Sequence, residues 1–101
     1  MNIMKSKYVI LASALLISVA TFAQKDQIKA AEKALKGGNS QEAVTILQGA
    51  EGVMANATAA EKAQFFFVKG NSLLDLANKN IETGKNLSLA AKAYQELMDV
   101  E

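Results

Sequence analysis

Ten carboxylates, eleven lysines and two tyrosines carry the acid–base chemistry of this 101-residue chain, because it has no histidine and no cysteine. An imidazole base, a thiolate nucleophile and the nitrogen and sulfur ligands of most transition-metal sites are thus missing together. What remains is carboxylate chemistry, which needs two acids converging on one bond. Asp26, Glu32, Glu42, Glu51, Glu61, Asp75, Glu82, Glu96, Asp99 and Glu101 are scattered, mostly with lysines between them, and read as solvated faces. Gly84-Lys85-Asn86 has the tail of a phosphate-binding loop, but no glycine lies five residues before Gly84, and Asn86 stands where a magnesium-binding hydroxyl belongs. Asn56-Ala57-Thr58 and Asn86-Leu87-Ser88 fit the N-glycosylation triplet, yet both fall at expected helix starts, where capping accounts for them. Every cation is a lysine and the net charge is +1, so the bidentate arginine contacts of nucleic-acid readers are absent. The expectation is a non-enzyme with no cofactor, no metal and no nucleic-acid partner.

The amino terminus has the anatomy of an export signal. Lys5 and Lys7 precede an apolar run from Val9 to Ala20, followed by the short end Thr21-Phe22-Ala23. The stretch from Tyr8 to Ala23 is 16 residues, whereas crossing a hydrocarbon core of ~30 Å takes about 20. Residues 1–23 therefore read as a signal peptide cut between Ala23 and Gln24, with no stable membrane span after cleavage. An uncleaved anchor is the alternative, and Ala20 is a second possible cut. No cysteine follows the apolar run, which excludes a lipoprotein. Residues 24–101 keep nine lysines and ten acids and use no disulfide, so packing must supply their stability.

That segment shows no period-two alternation and is rich in Ala, Lys, Glu, Leu and Gln, which predicts an all-α domain over 24–101. A first helix, Gln24 to Lys36, sets Ile28, Ala31 and Leu35 on one stripe and stops at Gly37-Gly38. A second runs from Ser40 to Met54 behind an Asn39 cap, with Ala43, Leu47, Ala50 and Met54 on a common face. Thr58-Ala59-Ala60-Glu61 is a capping box opening a long third helix whose expected apolar face is Ala63, Phe66, Phe67, Gly70, Leu73, Leu74 and Ala77. Asn78 to Asn86 reads as a connection, and a fourth helix starts near Leu87. Its stripe of Leu87, Ala90, Ala91, Tyr94, Leu97 and Met98 meets no stop signal before Glu101, which suggests a piece of a longer chain. Phe65, Phe66 and Phe67 cover about 200° of helix surface, so the three rings cannot all face one layer.

Gly38, Ala43, Leu47 and Ala50 match in order the turn and second helix of a tetratricopeptide repeat, and Phe66, Gly70 and Leu73 resemble the first helix of a second repeat, completed by Ala90 and Tyr94. The chain resembles that family over nearly all of 24–101. It departs from the pattern at Gln27 and Ala31, where the family prefers an aromatic residue and Gly. It departs again between Gly70 and Ala90, where 20 residues replace the usual spacing of about 12. The leader, the lysine-only cations and the lack of cysteine also look similar to exported repeat proteins of Bacteroidetes-type bacteria.

The resemblance implies antiparallel hairpins stacked as an α-solenoid fragment of about two repeats. It implies that first helices line a concave surface for a protein or peptide partner, here offered by Gln64, Phe67, Asn71, Leu74 and Asp75. Asn71 matches an Asn that some members use on a peptide carboxylate, while Phe67 replaces the Lys of those members. The expected role is a non-catalytic interaction scaffold, exported to the periplasm or envelope of a Gram-negative bacterium, with further repeats as neighbours if the chain is a fragment. Two other readings stay open: a small structural or oligomeric helical bundle of the envelope, and an accessory protein anchored by an uncleaved leader.

Overall fold

The computed structural model describes residues 25–100, so the signal peptide and the Ala23–Gln24 cut lie outside the described residues. All regular structure among them is helical. The order is α1 (25–36), α2 (Ser40–Ala50), a 3₁₀ segment (Glu51–Asn56), α3 (Ala59–Asn78) and α4 (Thr83–Met98). None of these helices is long and apolar enough to cross a membrane.

Both hairpin turns close with the same backbone motif. After α1, the N–H of Asn39 donates to the Ala34 carbonyl at 2.8 Å and that of Gly38 to Leu35 at 3.0 Å. After α3, the N–H of Ile81 donates to Leu76 at 3.0 Å and that of Asn80 to Ala77 at 3.0 Å. This paired bonding needs a left-handed residue two places past the last helical residue. Gly38 supplies it at φ 84° and Asn80 at φ 63°. The turn glycine was expected at the first site. At the second, an asparagine does the same work with a side chain that tolerates positive φ.

Two boundaries and one cap differ from expectation. The second helix gives up α geometry after Ala50 and continues as 3₁₀ turns, which brings Met54 into the core at 6% exposure. Asn39 precedes α2 but its side chain makes no cap bond. α4 starts at Thr83 rather than near Leu87, so Gly84 lies inside its first turn. The Nδ2 of buried Asn86 donates to the Ile81 carbonyl at 2.7 Å and tethers that turn to the loop before it. The eight residues added between Gly70 and Ala90, relative to Ala31 and Ala43, are thus shared between the end of α3, the loop and the start of α4.

α3 is the central element, lying against α2 on one side and α4 on the other. One core cluster joins Ile28, Ala31 and Ala34 of α1 and Ala43, Leu47 and Ala50 of α2 to Phe65 and Val68 of α3. A second joins Val44 of α2, Leu73 and Leu76 of α3, and Ala90 of α4. With neighbours on two sides, α3 buries more than one stripe, and the arc is rotated from the expected one. Gly70, Leu73 and Ala77 of the expected face are buried, but Phe65, Val68, Ser72 and Leu76 are buried beside them, Phe66 is half-buried, and Phe67 is 49% exposed. Phe65 and Phe66 meet edge to face with ring centroids 5.2 Å apart. Small residues set the close approaches, clearest at Gly70, where an added Cβ would lie 2.6 Å from the Tyr94 ring.

Candidate functional site

α1 and α3 lie side by side because Ile28, Ala31 and Ala34 share a core with Phe65 and Val68. The residues next to those buried positions must then line a groove between the two helices. The groove has a volume of about 300 Å³ and is lined by Glu32, Leu35 and Lys36 from α1 and Gln64, Phe67, Val68 and Asn71 from α3. At its upper end Nε2 of Gln64 donates to Oε1 of Glu32, bridging the helices. Beyond that bridge a second depression of about 330 Å³ continues along the same seam, lined by Lys25, Ile28, Lys29, Ala60 and Glu61.

Specific contacts hold the start of α3 and the Tyr94 and Phe65 rings in this region. Thr58 caps α3: its hydroxyl accepts from the Glu61 N–H at 3.1 Å, as the capping box predicts, while Glu61 Oε1 accepts from that hydroxyl at 3.0 Å in place of the Thr58 backbone N–H. Asn71 Oδ1 accepts from the Tyr94 hydroxyl at 2.5 Å, which fixes the amide at the floor of the groove. Burial pushes the Tyr94 phenol up from its ordinary value, so it stays protonated and remains a donor. Lys69 pairs with Glu51 at 2.5 Å and stands 5.7 Å from the Phe65 ring centroid, tying α3 to the 3₁₀ segment.

Of the five α3 residues expected on the partner surface, Gln64, Phe67 and Asn71 line the groove. Leu74 is half-buried beside the cluster of Leu73, Leu76 and Ala90. Asp75 is engaged elsewhere, accepting from the Ser40 hydroxyl at the start of α2 and from Lys79 at 2.8 Å. Lys79 also donates to the Gly38 carbonyl at 2.9 Å, so this clasp holds the first turn against the end of α3. The Lys79 ammonium and the Ser40 hydroxyl keep the Asp75 carboxyl below its usual range. Sequence reasoning missed Glu32, Leu35 and Lys36. Their signal was present, since they stand one and four residues after Ala31 and next to Leu35 in the same helical register.

The groove combines one exposed ring, one cation, one carboxylate and two amides, none of them arranged to activate a nucleophile. Among the described residues no three histidines, cysteines or acids stand close enough to hold a metal ion. Such a lining can grip a chain through stacking and hydrogen bonds. No protein-family model matches the sequence, no curated protein matches it, and no solved structure matches the fold.

Proposed function

We propose that the chain is an exported, non-catalytic scaffold of tetratricopeptide-like helix pairs that holds a protein or peptide partner in the groove between α1 and α3. The observation that carries the reading is Phe67, a ring 49% exposed in a groove whose other lining groups are polar or aliphatic. Leaving about half of an aromatic ring exposed forgoes roughly half of the ~1.5–3 kcal/mol that full burial supplies, a cost a partner can offset. Two consecutive hairpins closed by the same turn, with Gly70 at a close helix approach, support the repeat reading. The basic start, apolar run and Ala23 support export.

A photo-crosslinking residue placed at position 67 in the producing cell tests the groove, with the same residue at Thr45, exposed on α2, as control. Position 67 is expected to give discrete adducts that position 45 does not. Identical adduct patterns at both positions, or none at either, contradict the reading. The intact mass of the extracted protein tests export separately, since cleavage removes residues 1–23.

A further inference from the structure

Three lysines beyond α1 stand beside carboxylates: Lys69 by Glu51, Lys79 by Asp75 and Lys85 by Glu82. Among the described residues none of the four on α1, Lys25, Lys29, Lys33 and Lys36, has such a partner. Lys25 and Lys29 are four residues apart, as are Lys29 and Lys33, a spacing at which like charges oppose each other. Lys25, Lys29, Glu32 and Lys36 recur at steps of four, three and four, which places them within about 60° of one face. That face is one wall of the α1–α3 seam. Lys25 and Lys29 line its upper depression, and Lys36 lines the lower one together with Phe67. The two carboxylates of the seam are hydrogen-bonded within the protein: Glu32 accepts from Gln64, and Glu61 accepts from Thr58 through Oε1 while its Oε2 is buried. Three ammonium groups against two bonded carboxylates leave the seam positive, beside a ring that is half exposed.

We propose that the occupant of this seam is an acidic segment of a partner protein, lying extended along α1 with one apolar side chain stacked on Phe67 and carboxylates facing the lysines. The inference rests on the groove holding a chain, and adds the chemistry of that chain. From Lys25 to Lys36 the helix rises about 16 Å, the length of about five extended residues. Phe67 lies in the depression of Lys36. The apolar side chain therefore sits next to the acid that faces Lys36, and the acids that face Lys29 and Lys25 follow about three to five residues further along. The Gln64 amide, exposed where the two depressions meet, can bond the backbone that crosses it. A basic segment would leave these lysines unpaired and repelled. A groove between two helices takes a chain rather than a flat lipid surface.

The photo-crosslinking residue at position 67 in the producing cell tests the charge of the occupant, with the adducts digested and the joined segment sequenced by mass spectrometry. The expected segment has net negative charge and an apolar residue beside an acid. Lys29→Glu together with Lys36→Glu should lower the adduct yield at least about tenfold. Lys33→Glu together with Lys92→Glu makes the same change of charge away from the seam, since Lys33 lines a separate depression with Ala30 and Ile46 and Lys92 is on α4, and should leave the yield within about twofold. All four lysines are exposed, so circular dichroism should be unchanged in both pairs. Discrete adducts to a neutral or basic segment, adducts of lipid mass, or equal yields from the two pairs overturn the acidic occupant while leaving the groove in use. Absence of any adduct overturns the groove reading and this inference with it.

Discussion

A methyl group at Gly70 would meet three Tyr94 ring atoms at 2.6, 2.8 and 2.9 Å. The ring cannot move aside cheaply, because its hydroxyl is bonded to Asn71. Gly70→Ala should therefore cost about 1–3 kcal/mol in urea unfolding, although alanine is the better helix former. Asp75 supplies a pH-dependent counterpart. Its folded pKa lies below the ordinary 3.8, so its contribution is complete above that value and is lost as pH falls through the folded one. The stability gap between the wild type and Asp75→Asn should thus narrow as pH drops from about 5 to about 2, read as converging urea midpoints. Gly70 was legible in the sequence because a glycine in a helix interior demands a packing reason. The Ser40–Asp75 clasp was not, since its partners stand 35 residues apart and neither has a local pattern that names the other.

At the scale of elements, the helix starts and stops that were read correctly have strong local chemistry. Thr58 caps α3 through the Glu61 N–H as the spacing implies, and Gly37-Gly38 ends α1. The loop between α3 and α4 was misjudged because its turn uses Asn80 and Glu82 at positive φ, where glycine is the expected signal, while Gly84 sits inside a helix. Glu82, at φ 40° and ψ 53°, holds a left-handed conformation that costs an ordinary residue about 1–2 kcal/mol. Its 4.0 Å pairing with Lys85 is largely exposed and offsets little of that. Glu82→Gly should accordingly raise stability by about 0.5–1 kcal/mol after the entropy gained by the unfolded chain is counted, measured as a higher thermal midpoint. The rotated burial of α3 has a different cause. Period alone marks an apolar arc, but which side of Phe65-Phe66-Phe67 faces the core depends on where α1, α2 and α4 sit.

For the whole molecule, the groove depends on the second hairpin being seated on the first. All-helical character was readable from composition and period, since Ala, Leu, Lys and Glu favour helices without regard to neighbours. The groove was only partly readable: Gln64, Phe67 and Asn71 follow from the α3 register, whereas Glu32, Leu35 and Lys36 join them only once α1 is known to lie alongside. That groove exists only while Ala31 and Val44 of the first hairpin share cores with Phe65, Leu73 and Leu76 of α3. A nuclear Overhauser spectrum of the purified protein measures this contact directly. The predicted result is cross-peaks from the Ala31 methyl to the Phe65 ring and from the Val44 methyls to those of Leu73 and Leu76. Intact peaks between α3 and α4, with none from either helix back to Ala31 or Val44, would mean two unstacked hairpins and no groove.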